Sequence, residues 1–337
     1  MRITVLAGGI GGARFLRGLR ALLDAEHPGS EITVIGNTGD DIWVHGLRVC
    51  HDLDTVMYTL GGGISEERGW GREGETFTVK DELAAYGVEP SWFGLGDKDI
   101  ATHLIRTQSL SAGYSLTDVT AALCEHWKPG VRLLPMSDDR AETHVIVDDP
   151  SGATAADGTP LRTAIHFQEW WIRHHAALPA HGFVLVGIDT AQPGPAVLEA
   201  ISSADVVLLP PSNPVVSIGT ILQVPGIADA VRSTLAPVVA VSPIVGGAPV
   251  RGMADACLTA IGVETSALGV ASHYGARSRG GLIDAWLVDD ADSDCVDAVA
   301  ALGIECRSIP AMMTDVVATS AIAGHCLTVA EQVRRTP

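Results

Sequence analysis

The chain reads as an α/β protein: a doubly wound, mostly parallel, Rossmann-like sheet that carries a largely helical insertion. Three observations predict this. Short β-branched runs near both ends alternate with helical apolar patterns. A glycine cluster separates the first such run from the first helical pattern. Between about residues 45 and 180 the alternation gives way to mostly helical text.

Taken in order, Ile3–Ala7 is a buried parallel strand, and Gly8-Gly9-Ile10-Gly11-Gly12 follows it. Phe15, Leu16, Leu19, Leu22 and Leu23 then fall on one helical face. Ile32–Ile35 is a second strand that ends in the polar turn Asn37–Asp41, completing a βαβ unit with a right-handed crossover. Further on, Ser115 and Asp118 form a capping box for a helix reaching Trp127, with Leu116, Val119, Leu123 and Trp127 on its apolar face. A hairpin is expected from His144–Asp148 and Thr163–Gln168, turning through 150–160. The α/β rhythm resumes at Phe183–Gly187. Strands Val206–Leu209, Val238–Val241 and Ala285–Val288 alternate with helices near 195–203, 226–235 and 253–261. The expectation is one α/β domain over 1–337. Its core comes from roughly 1–44 and 180–310, and an inserted segment of roughly 45–180 lies over the strands' carboxyl ends, where such sheets bind ligands.

Composition narrows the partners. Hydrophobic residues are 47% and charged ones 18% of the chain, which places it among globular proteins. The 40 acidic and 22 basic side chains give a formal net charge of -18, which repels nucleic acid and anionic membranes. It would repel a phosphorylated ligand too, so an anion site must supply its own positive potential from backbone N–H groups, basic side chains or a metal. The six cysteines are scattered, without a C-x-x-C pair, as in a reduced cytosolic protein. No signal peptide is apparent, and no apolar run nears the ~20 residues of a membrane span. A cytoplasmic protein is expected.

Four groups of residues could carry chemistry. Gly9, Gly11 and Gly12 let backbone amides approach a phosphate at a helix N-terminus, and Arg14 suits the same anion. Arg14 occupies the place of the third glycine in a dinucleotide fingerprint, and no Gly-Lys-Ser/Thr closes a Walker loop. Carboxylates recur in close pairs: Asp40-Asp41, Asp52 with Asp54, Asp97 with Asp99, and Asp138-Asp139. Asp40 and Asp41 end the second strand, where hard oxygen ligands suit Mg²⁺ bridging to a nucleotide diphosphate, with Asp40 as the metal ligand. Helix capping is an alternative for Asp52, Asp54 and Asp99. Pro211-Ser212-Asn213-Pro214 and Ser242–Gly247 each end a strand in a polar turn able to face a phosphate or purine. Last, in His166-Phe167-Gln168-Glu169-Trp170-Trp171 the two tryptophans cannot share one core face on a strand, so one is free for a ligand ring or a partner. His103 reads as a locally bonded residue, and His174-His175 lack a third ligand for zinc.

Gly39–Trp43, Asp52–Thr55, Gly96–His103, Leu134–Asp139, the HFQEWW stretch, Pro211–Pro214 and Val241–Ile244, in this order, resemble the 2-phospho-L-lactate transferase family of coenzyme F420 biosynthesis. The likeness runs from the first strand to about residue 315. The opening GGIGGARFL and Arg251–Asp255 look like the actinobacterial branch, which is understood to use a phosphoenolpyruvyl donor. The resemblance implies a guanosine diphosphate-linked three-carbon acid as donor, the deazaflavin alcohol Fo as acceptor, GMP as leaving group and a homodimer. On that reading the glycine loop, Arg14, Asp41, Ser212 and Asn213 hold the nucleotide, and Asp40 binds Mg²⁺. Asp54 orients or deprotonates the acceptor hydroxyl, and Lys98 steadies phosphate or acceptor. Two other readings compete: a non-catalytic nucleotide-sugar-binding regulator, which would not need the DLDT, GDKDxATH and HFQEWW segments, and a nicotinamide dehydrogenase, which Arg14 disfavours.

Overall fold

A computed structural model describes residues 1–334. Fourteen strands occur in chain order: β1 (Arg2–Ala7), β2 (Glu31–Gly36), β3 (Ile42–Val44), β4 (Leu47–Val49), β5 (Arg132–Pro135), β6 (Glu142–Asp148), β7 (Arg162–His166), β8 (Ala180–Val186), β9 (Val206–Leu209), β10 (Val238–Val241), β11 (Ile244–Val245), β12 (Ala248–Pro249), β13 (Ala285–Asp289) and β14 (Glu305–Ile309). Seven of them form the central sheet, ordered β14-β13-β10-β9-β1-β2-β5, and every pairing in it is parallel.

Alternation along the strands covers both faces. Ile3, Val5 and Ala7 of β1 and Ile32 and Val34 of β2 pack with helix α1 (Gly9–Glu26), helix α2 (His51–Gly61) and the C-terminal helix Val316–Gln332. Leu6 and Ile35 point the other way, into a second core built with the helices Val197–Ser202, Ile218–Gln223, Ile227–Ser233 and Ala267–Tyr274. Side chains of opposite parity on one strand must face opposite sides of the sheet, so a sheet buried on both faces reads as a continuous apolar run. That is the text of β1, β9 and β10.

The chain leaves β1 toward β2 and β5, then returns to build β9, β10, β13 and β14 on β1's other side. Strand order therefore reverses between β1 and β9. The loops after these two strands diverge and leave a crevice at the carboxyl edge. Two further helices, α3 (Thr78–Ala85) and α4 (Asp97–Ser111), close over it, while α5 (Leu116–Trp127), begun by the expected Ser115–Asp118 capping box, packs its apolar face into the first core.

Two strands stand elsewhere than the sequence suggested. β5, within the stretch read as insertion, is an edge strand of the main sheet. Conversely β8, expected to resume the parallel core, belongs to a separate antiparallel sheet ordered β7-β6-β8. The expected hairpin is the β6–β7 pair of that sheet. Among the described residues no helix is long and apolar enough to cross a membrane, and all six cysteines are free thiols.

Candidate active site

The glycine loop forms because β1 must hand over directly to α1. Gly8 is the N-cap, and α1 begins at Gly9, whose φ is +61°. A Cβ at Gly11 would lie 2.3 Å from the carbonyl oxygen of Pro211, so only glycine lets α1 approach the turn after β9 this closely. Ser212 ties the two loops together: its Oγ donates to the Gly8 carbonyl at 2.8 Å and accepts from the Gly8 N–H at 3.2 Å. Gly12 is buried behind this contact, against Ala7 and Ser212. The crevice between β1 and β9 is thus shaped by backbone.

It opens into a cavity of about 880 Å³, walled at one end by Gly8, Gly9, Gly11, Asp40, Asp52, Ser212 and Asn213. The acidic turn after β2 reaches this end because it is held on several sides. Asn37 Oδ1 accepts from the Gly39 N–H at 2.9 Å, and its Nδ2 donates to Asp52 at 2.9 Å. From the HFQEWW stretch, Gln168 donates to the Asp40 carbonyl at 3.3 Å and the His166 ring meets the Asp41 carbonyl at 3.1 Å. Asp40 is buried, and its Oδ1 has no hydrogen-bond partner. Burial, then the nearby Asp52 and Asp41 carboxylates, push its pKa well above the ordinary value. Burial likewise lifts Asp52 to about 6. Carboxylates crowded in low dielectric around an unpartnered oxygen form a site that a cation would stabilise. Among the described residues no three His, Cys, Asp or Glu side chains converge as a cage.

The middle of the cavity is bounded by α2 and α4. Asp54 is buried and takes both of its oxygens to Arg106, with the Arg106 Nη1 at 3.0 Å from Oδ2 and Nη2 against Oδ1. Burial raises the Asp54 carboxyl while Arg106 and His103 draw it back down. His103 lies 3.3 Å from Asp99 Oδ2, and Tyr58 donates to Asp99 Oδ1 at 2.5 Å. His103 is therefore locally bonded, as its sequence context suggested. Neither Asp54 nor Asp99 is a cap, since α2 and α4 start earlier, at N-caps Cys50 and Gly96.

Aromatic side chains also line the cavity: Trp70, Phe77, Trp92, Phe93 and Trp171. The paired tryptophans divide as their parity demanded, but on a short π-helix, Glu169–Arg173, rather than a strand. Trp170 is wholly buried, while Trp171 is 38% exposed and faces the cavity.

Of the residues singled out from sequence, Gly9, Gly11, Asp40, Asp54, Ser212 and Asn213 meet at this cavity. Three do not. Asp41 is spent on a buried ion pair with Arg48 at 2.9 Å. Lys98 lies outside the wall, with its Nζ donating to the Glu73 carbonyl at 2.9 Å. Arg14 is also absent from the wall: because α1 starts at Gly9, it lies five residues, roughly 7.5 Å, along the helix from the loop's mouth. Asn213 contributes differently from expectation, since its Oδ1 accepts from the N–H groups of Val215 and Val216 at 2.9 and 3.2 Å and so shapes its own turn. Sequence reasoning gave Asp52 no role beyond a paired carboxylate or a cap, named Arg251 only within a lineage motif, and gave no site role to Asn37, Arg106, Arg68 or Lys80.

One cavity at the switch point thus gathers the glycine loop, buried carboxylates and aromatic side chains. Comparison with known proteins assigns it to a lineage: residues 3–311 match the family described as 2-phospho-L-lactate transferase CofD. The chain belongs to that family. It is 62% identical over 334 residues to a phosphoenolpyruvate transferase of Streptomyces coelicolor, covering 99% of each chain. Another, from Thermobifida fusca, is 62% identical over 339 residues, and one from Mycolicibacterium smegmatis is 56% identical over 327 residues, covering 96% of each chain. Among solved structures, a Bacillus halodurans protein of the UPF0052 family superposes with a TM-score of 0.59 at 21% identity, covering 96% of this chain and 99% of its own. That likeness bears on the fold alone. This CofD family member is a transferase, and the dehydrogenase and regulator readings fall with that assignment.

Proposed function

We propose that the protein transfers a phosphoenolpyruvyl group from a guanosine diphosphate-linked donor to the primary alcohol of the deazaflavin Fo, releasing GMP, as a step of coenzyme F420 biosynthesis. The observation that carries this reading is a single cavity lined by the glycine loop, by buried carboxylates and by aromatic side chains. A nucleotide diphosphate fits the glycine loop and a fused heteroaromatic ring the aromatic side chains, so an alcohol on the ring's side chain would meet a phosphorus between them. The relatives named phosphoenolpyruvate transferases favour the enolpyruvyl donor over the lactyl one that the family's description names.

Phosphoryl transfer asks a protein mainly for positioning and charge neutralisation. The amides at the start of α1 would take the phosphates, with Ser212 fixing the loop that presents them. Asp40, with Asp52 beside it, would hold Mg²⁺, which when bound supplies the positive charge that an anionic protein lacks. Asp54 suits orienting the acceptor hydroxyl better than removing its proton, because both of its oxygens already accept from Arg106. The aromatic side chains would exclude water from the ring.

The test is direct. Incubated with Fo, Mg²⁺ and the enolpyruvyl donor, the protein is expected to release GMP together with a product heavier than Fo by one phosphoenolpyruvyl group. Release of GMP without that adduct, or no reaction with either the enolpyruvyl or the lactyl donor, contradicts the reading.

A further inference from the structure

The mechanism above gives the donor's phosphates a place but leaves its carboxylate without one. In a chain of net charge -18 this second anion needs compensation of its own. Asp40 and Asp52 cannot provide it, since they are carboxylates themselves. The cavity wall carries three basic side chains with permanent charge, Arg68, Lys80 and Arg251. Among the described residues none of the three stands in an ion pair. Arg106, also near the cavity, is already committed to Asp54.

Two of the three are built into one unit. Arg251 comes from the loop after β12 and crosses to the loop after α2, where its Nη2 donates to the Arg68 carbonyl at 3.1 Å. The approach is close enough that a side chain at Gly69 would meet that same nitrogen at 2.8 Å. Arg68 stacks its guanidinium 5.5 Å from the Trp70 ring and 5.7 Å from Phe77, and donates to the Arg72 carbonyl at 2.7 Å. Its Nε is buried with no hydrogen-bond partner. Stacking between rings holds a guanidinium plane in place, and a buried N–H donor without an acceptor costs free energy until a ligand supplies one. Planar, fixed guanidinium groups match a carboxylate better than an ammonium does.

Resting on the donor reading given above, we propose that Arg251 and Arg68 form an anion subsite for the carboxylate of the donor's three-carbon acid, distinct from the place of its phosphates. The pair would then decide that the transferred group is an acid. A phosphate of the nucleotide is the other anion such a pair could take, and the two sources separate by binding.

The experiment is calorimetric titration of the full-length protein, with Mg²⁺, against two probes: GDP, and GDP esterified to enolpyruvate. The wild type should bind the ester more tightly than GDP. Arg251→Gln retains an amide donor for the loop contact but removes the charge. It should weaken the ester by roughly ten- to a hundredfold and leave GDP unchanged. Arg68→Lys should fall between, and an ester whose carboxylate is replaced by a carboxamide should be indifferent to Arg251→Gln. Equal weakening of GDP and ester would assign the pair to phosphate and overturn the proposal. So would an ester affinity untouched by both variants, or a wild type that binds the ester no better than GDP. Tight, Arg251-dependent binding of the ester without transfer to Fo would sink the proposed reaction while leaving the subsite standing.

Discussion

Burial raises the Asp52 carboxyl to about 6, and hydrogen bonds from Asn37 and the Gly9 backbone only partly offset it. The sign of its effect on stability follows. A folded-state pKa above the unfolded value means the native protein binds more protons between the two, so Asp52 opposes folding most above pH 6 and least below about 4. His51, next to it, acts in the opposite sense: burial lowers its pKa to about 3, so stability is lost as the pH falls below the ordinary histidine range. The two effects overlap, which makes a difference measurement necessary. Asp52→Asn should be more stable than the wild type at pH 7 without metal, and the gap should shrink as the pH is lowered from 7 to 4. Added Mg²⁺ should close the gap at pH 7 by stabilising the wild type. Thermal melts of both proteins across that range check it; a gap independent of pH would refute the assignment. At this scale the sequence conveyed residue types and little of their partners. Asp40 was legible because it ends a strand. Asp52 and Asp54 looked alike in the text, yet one faces the glycine loop and the other Arg106, which follows it by 52 positions.

At the scale of elements, the contact between α2 and α4 is an ion pair with almost no access to water, Asp54 against Arg106. Breaking one side of such a pair leaves a buried charge uncompensated, whereas removing both can be nearly neutral. Arg106→Met should therefore cost about 3–5 kcal/mol of stability. The double variant Arg106→Met with Asp54→Leu should recover most of that stability while remaining inactive. Urea denaturation of the three proteins measures the first point and turnover the second; a double variant no more stable than the single one would show that the pair has no such role. Two kinds of text were readable, the long apolar periods of α1 and the capped α5 and the unbroken apolar runs of the fully buried β9 and β10, and all four appear where their patterns place them. The two misplaced strands have physical reasons. β5 is four residues long and ends in proline, as an edge position permits, so it carries little signal. β8 alternates in exposure as half-buried antiparallel strands do, and its apolar composition obscured that period.

For the whole molecule, one topological fact arranges everything else. Reversal of strand order between β1 and β9 brings together loops some 200 residues apart in sequence, joined by the Ser212–Gly8 bonds. Helices of the β2–β5 connection then roof the opening. The doubly wound class was legible because the βαβ unit and the later strands announce it. The roof was not, because the long-range contacts that fix it, such as Arg251 to Arg68 across 183 positions, leave no local pattern. Arg14 and Lys98 were misplaced for the same reason: a charge near a motif in the text need not be near it in space. The account's central claim is that this switch point gathers a nucleotide diphosphate and a divalent ion at one place. Crystals soaked with Mn²⁺ and GDP, measured for anomalous scattering, test it most directly. The expected map has a strong anomalous peak coordinated by Asp40 and by a phosphate oxygen, with the diphosphate against Gly8–Gly11. A peak and nucleotide lying away from Asp40 and the glycine loop would contradict the account.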